Sequence, residues 1–169
     1  PTIISSTEEL TSSVDIAIIY SKSHVSKQYK IVYDDGTDTG WLEYSGLFTV
    51  KKNATIYAKS LDNSGTWSKV TNYKVTNIDS VIPTIKVSAD FNTPVITLDM
   101  NVNVTDNNKL ELVAYSKGEE FDINNALFMT PSFKAVITEN GAYSIYAKDN
   151  AGNEITKTIY IDNIGTVPY

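Results

Sequence analysis

The chain has 169 residues with 20 acids, 14 bases that are all lysine, one histidine and no cysteine, giving a net charge of −6 and an isoelectric point near 4.7. Without cysteine there is neither a disulfide framework nor a thiolate metal site, and the redox compartment stays open. The acidic balance repels a phosphate backbone and arginine's planar fork is missing, so nucleic acid is not an expected partner; no run approaches the roughly 18 apolar residues of a membrane span, so direct membrane insertion is not expected either.

In chain order, Val14, Ile16, Ile18 and Tyr20 alternate with smaller or polar residues, the period-two pattern of a half-buried strand. A second strand is predicted over Gln28–Asp34, ending in the turn-forming run Asp34-Asp35-Gly36. Trp41–Ser45 and Leu47–Val50 read as short strands split by Gly46. Ala54–Leu61 and Trp67–Thr76 form a hairpin around Asp62-Asn63-Ser64-Gly65. Further on, Ile85, Val87 and Ala89 share one face, and Ile96, Leu98, Met100, Val102 and Val104 share another. Leu110, Leu112 and Ala114 are expected on a common face of the next strand, and a single helical turn is expected near Asp122–Leu127. Ala126–Met129, Phe133–Thr138, Ala142–Lys148 and Glu154–Asp162 complete the set, with no sustained helical periodicity anywhere.

One pattern occurs twice. Ile56-Tyr57-Ala58-Lys59, a turn with Asp62 and Gly65, Asn77-Ile78 and Pro83-Thr84 recur as Ile145-Tyr146-Ala147-Lys148, Asp149 with Gly152, Asn163-Ile164 and Pro168-Tyr169. The spacing gives a unit of roughly 80 to 90 residues, large enough to close its own core without metals or disulfides. The expected organisation is residues 1–80, residues 83–167, and 168–169 as the start of a further repeat. The short linker ending in Val81-Ile82-Pro83 is expected to set the two units end to end.

The run Tyr143-Ser144-Ile145-Tyr146-Ala147-Lys148-Asp149-Asn150-Ala151-Gly152-Asn153, followed by Thr158–Asp162, resembles the closing hairpin of bacterial immunoglobulin-like repeats. In the first unit Tyr29–Gly36, Tyr44–Val50, Thr55–Lys59 and Gly65–Val75 are similar to the chitobiase/β-hexosaminidase C-terminal type of accessory domain. The second unit departs from that type at Tyr115-Ser116-Lys117-Gly118, which lacks the Trp41-to-Phe48 pattern. The resemblance implies an all-β chain of two tandem immunoglobulin-like antiparallel β-sandwiches. It also implies a non-catalytic spacer or stalk of a bacterial cell-surface or secreted protein, a monomer whose neighbours are further such repeats. The alternative it leaves open is an adhesive or accessory module that binds glycan or a host or cell-wall protein.

Site chemistry is sparse. The only histidine, His24, falls in a polar connector, no nucleophile motif is present, and the acids sit in turns or on outward strand positions, so no catalytic residue and no cofactor are assigned. Asp106, Asn107, Asn108, Asp149, Asn150 and Asn153 offer oxygens to calcium, but the same residues serve as turn formers and no metal site is assigned. Tyr57 and Tyr146 occupy equivalent outward positions and read as framework. Trp41 and Trp67, each beside a turn and unmatched in the second unit, are the candidates for ligand contact, since flat aromatic faces suit sugar rings.

Overall fold

The structure, a computed structural model, describes residues 1–21 and 24–165, so the stub expected at Pro168-Tyr169 lies outside the described residues. The chain divides into two compact units, Pro1–Ser80 and Val81–Tyr169.

In the first unit apolar alternation converts into β1 (Thr2–Ser5), β2 (Val14–Ile19), β3 (Ser26–Tyr33), β4 (Leu42–Glu43), β5 (Phe48–Val50), β6 (Ala54–Leu61) and β7 (Thr71–Val75). They pair antiparallel into a three-stranded sheet, β1-β2-β5, and a four-stranded sheet, β4-β3-β6-β7. Both sheets turn their apolar parity inward. Val14, Ile16 and Ile18 of β2 meet Ile31, Ala54, Ile56, Ala58 and Val75, all buried. Each such isoleucine contributes about 1.5–3 kcal/mol by leaving water. Aromatics join this core: Tyr29 stacks on Phe48 at 4.3 Å, the Ile18 N–H donates to the Tyr44 hydroxyl, and the Tyr20 hydroxyl donates to the Gln28 carbonyl at 2.7 Å. Burial pushes the Tyr20 phenol above its ordinary range.

The second unit repeats the plan with β8 (Thr84–Ser88), β9 (Leu98–Thr105), β10 (Leu110–Lys117), β11 (Leu127–Met129), β12 (Ser132–Ile137), β13 (Gly141–Asp149) and β14 (Glu154–Ile161). Its sheets are β12-β9-β8 and β11-β10-β13-β14, the same order position for position. In both units the fourth strand pairs with the third rather than joining the three-stranded sheet, so each is an immunoglobulin-like sandwich with that strand switched relative to the constant-type arrangement. A 3₁₀ turn at Ile123–Asn125 is capped by Asp122, where the single helical turn was expected.

Two expectations are corrected here. Ile96 does not share the face of Leu98 and Met100; it precedes β9 and is 77% exposed. In β10 a register shift between Leu110 and Leu112 rephases the strand, so Leu110 packs on the core with Val113 and Tyr115 while Leu112 and Ala114 fall on the opposite parity. A pattern of Leu-x-Leu-x-Ala cannot reveal a bulge, because the extra residue leaves no mark on composition.

Three side-chain devices close the sandwiches. In the β6–β7 and β13–β14 connections, Asp62 Oδ1 accepts the N–H of Ser64 and Thr66, and Asp149 Oδ1 accepts those of Ala151 and Asn153, all at 2.8–2.9 Å. Gly65 and Gly152 follow at φ +83° and +94°, which a Cβ would strain. The second device is a pair of asparagines. The Asn77 amide donates to the Thr7 and Glu9 carbonyls, and the Asn163 amide donates to those of Asp90 and Thr93, tying the exit of each unit to the loop between its first two strands. Asn53 and Asn140 then accept the N–H of Ile78 and Ile164 in the same way, each at 2.9 Å. The third device belongs to the second unit alone: the Tyr143 hydroxyl donates to the Glu139 carbonyl at 2.7 Å, a tyrosine corner at the start of the sixth strand.

Candidate functional site

Strand parity builds an aromatic and cationic face on the four-stranded sheet of the first unit. Along β6 the residues Thr55, Tyr57 and Lys59 alternate with buried Ala54, Ile56, Ala58 and Ser60, so they point outward. Register places Lys30 of β3 opposite Tyr57, and Gln28 opposite Lys59 and Glu43. Trp41 immediately precedes β4, and Trp67 sits beyond β6 in an isolated bridge with Leu61. The Lys59 ammonium lies 4.2 Å from the ring centroids of both Trp41 and Trp67, and that of Lys30 lies 5.0 Å from Trp41 and 5.1 Å from Tyr57. Cation and ring therefore alternate from Tyr57 through Lys30, Trp41 and Lys59 to Trp67. Each contact is worth about 0.5–1 kcal/mol at such an exposed site. Beside them Glu43 Oε1 accepts from Ser26 Oγ at 2.7 Å and Gln28 Nε2 at 3.1 Å, bonds that hold its carboxyl below the usual carboxylate range.

The structure thus brings the two tryptophans singled out from sequence to one face, and joins them through a lysine that sequence reasoning passed over. The signal was present in the Ile56-Tyr57-Ala58-Lys59 alternation, which puts Lys59 on the same side as Tyr57. Trp41 is half-buried beneath two ammonium groups, while Trp67 is 43% exposed. In the second unit the equivalent face carries different chemistry. Tyr146 stacks on Phe121 at 4.7 Å, its hydroxyl donates to Glu154 at 2.6 Å, and Lys148 pairs with Glu111 at 3.9 Å. Burial, then the Glu154 carboxylate, pushes the Tyr146 phenol up. What recurs on both faces is the tyrosine against the sheet, the framework role expected of Tyr57 and Tyr146.

The remaining sequence candidates have local partners. His24 Nδ1 lies 2.5 Å from the Ser21 carbonyl oxygen, with its ring 6.3 Å from that of Tyr20. Asp149 accepts three N–H bonds, the third from the Asn153 amide at 2.9 Å, and Asp106 Oδ2 accepts the Asn108 N–H at 2.9 Å. Both carboxylates act as acceptors for their own turns.

No family model and no curated protein matches the chain. Among solved structures it is similar to the fibronectin(III)-like modules of Clostridium thermocellum CbhA, at 18% identity over 95% of this chain and 94% of that one, with a TM-score of 0.40. Agreement at that level carries no argument about activity. The assignment as paired β-sandwich units rests on strand order and register.

Proposed function

We propose that the chain supplies non-catalytic structural modules, a spacer or stalk within a secreted or surface-exposed bacterial protein. The observation that carries this reading is the recurrence of the closing devices. The aspartate-glycine hairpin and the asparagine staples occupy the same topological places in both units, whereas the one aromatic face that suits a ligand occurs once and is covered by its own lysines. What the two units have in common is what a spacer needs, a stiff self-contained fold. The bacterial surface setting rests on the resemblance of the closing hairpin, and any specific kinship of the first unit to the chitobiase-type accessory domain rests on the resemblance of Tyr29–Gly36, Tyr44–Val50, Thr55–Lys59 and Gly65–Val75. A panel of neutral glycans tests the reading: a spacer shows no saturable binding, and Trp41→Ala and Trp67→Ala alter only stability.

A second reading draws on one observation, the exposure of the Trp67 ring beside Lys59. An indole with one face open is a platform for a sugar ring. Saturable binding of a neutral glycan that disappears in Trp67→Ala would establish this reading and overturn the spacer.

A further inference from the structure

The other sheet of the second unit carries an open groove of about 730 Å³ on its outer side. Strand register sets out its polar floor in two rows. Lys86, Asn103 and Ser132 stand side by side across β8, β9 and β12, and Ser88, Asn101 and Lys134 form the next row. The two lysines therefore occupy opposite corners, with Cα atoms roughly 12 Å apart by ordinary strand spacing. A third cation comes from the neighbouring sheet: Lys157 lies opposite Ile145 on β14, yet its ammonium turns out to the Ile85 carbonyl at 3.4 Å and lines the same groove.

Charge in this groove is segregated. The chain has 20 acids against 14 bases, but no aspartate or glutamate is among the lining residues. Lys134 shares its charge with Asp99 at 3.8 Å, whereas Lys86 and Lys157 form no ion pair among the described residues. The side chains of Ser88, Asn101, Asn103 and Ser132 likewise make no hydrogen bond among the described residues, so their amides and hydroxyls are open to a ligand. The fold itself does not require this pattern. The matching face of the first unit carries Ile4, Ala17, Ile19 and Asp15, with Asp15 accepting from Thr49 at 2.7 Å, and no lysine.

We propose that this groove binds acidic polysaccharide, with Lys86, Lys134 and Lys157 pairing carboxylate or sulfate groups and Asn101, Asn103, Ser88 and Ser132 bonding ring hydroxyls. The lining aromatic, Phe133, is buried with its ring 5.6 Å from Tyr115, so no stacking surface holds a neutral sugar or an unpaired base. Lysine ammoniums act as point charges rather than bidentate forks, so the charge contacts are weak and salt-dependent. Discrimination against single-stranded DNA comes from the asparagine and serine side chains, because deoxyribose lacks the ring hydroxyls that they bond. The proposal goes beyond the spacer reading, giving one of two similar modules an adhesive face that the other lacks.

The test titrates the full 169-residue chain with polygalacturonate, chondroitin sulfate, dextran and single-stranded DNA at low ionic strength, following chemical shifts. Saturable binding of one or both acidic polymers, with dextran and DNA silent, is expected; the first two arms separate a carboxylate from a sulfate source. Lys86→Gln with Lys157→Gln should weaken binding about tenfold or more, and Lys134→Gln should weaken it less because Asp99 already shares that charge. Raising salt to about 0.5 M should abolish binding, whereas Lys51→Gln with Lys69→Gln in the first unit should leave it unchanged. These are surface changes, and an unaltered melting curve confirms that each variant is folded. No saturable binding, equal binding of dextran or DNA, or an unchanged affinity in the Lys86/Lys157 variant would overturn the proposal. A failure here leaves the spacer standing, while neutral-glycan binding at Trp67 would remove the spacer and leave the groove untouched.

Discussion

Lys59 shows how a single residue decides what an aromatic pair is for. Its ammonium fills the space between two indoles that would otherwise offer adjacent flat faces. Replacing it with methionine keeps the aliphatic stem but removes the charge, so the loss isolates the two cation–π contacts. Lys59→Met should destabilise the first unit by about 1–2 kcal/mol and shift the tryptophan emission, read in a denaturant melt followed by fluorescence; an unchanged midpoint would show that the ladder carries no energy. Acid stability belongs to the same scale. Hydrogen bonds from Thr37 to Asp35, from Ser26 to Glu43, from Ser64 to Asp62 and from Thr93 to Asp90, and the Lys117 partner of Glu139, each hold a carboxyl below its ordinary value of 3.8 or 4.5. A carboxyl lowered in the folded state stabilises above its unfolded value and loses that contribution as pH falls through the folded one. Melting temperature should therefore hold between pH 7 and about 5 and fall below about 4. A decline already under way between pH 7 and 6 would contradict this account.

At the scale of elements, the asparagine staples do what the sheets cannot. Beyond its last strand each sandwich pairs on through a parallel bridge, Thr11 to Ile78 or Val95 to Ile164, and beside that bridge Asn77 or Asn163 binds two carbonyls of the first long loop. Asn77→Ala should destabilise the first unit and Asn163→Ala the second, each by about 1–3 kcal/mol in thermal melts, since two backbone carbonyls lose an amide donor; a loss below about 0.5 kcal/mol in both would reduce the staples to surface contacts. Much of this was legible beforehand. Period-two runs such as Leu98 to Val104 give strand, face and core at once because parity is written in the residues themselves. The repeat of Asn77-Ile78 as Asn163-Ile164 was visible too, but its purpose was not, since the carbonyls it binds lie some seventy positions away in sequence. The same distance hid the lysine groove, whose three charges come from β8, β12 and β14, and the β10 bulge, which is a matter of backbone register. Trp41 and Trp67 were recognisable as unusual, and their union through Lys59 needed the sheet.

For the whole molecule, the claim is that each repeat is a complete folding unit. Ile56 and Ile145 occupy the same place in the two sandwiches, both fully buried, and truncating either to alanine should cost about 2–5 kcal/mol in its own unit and nothing in the other. Both tryptophans lie in the first unit, so tryptophan fluorescence reports that unit alone while far-ultraviolet circular dichroism reports both. The decisive measurement is a urea titration of Ile145→Ala followed by the two probes together. The account predicts a dichroism curve that splits, with an early step from the second unit, over a fluorescence transition whose midpoint matches the unmutated chain. A fluorescence midpoint that moves down with the dichroism would show that the sandwiches fold as one body, and would contradict the reading of the chain as self-contained repeats.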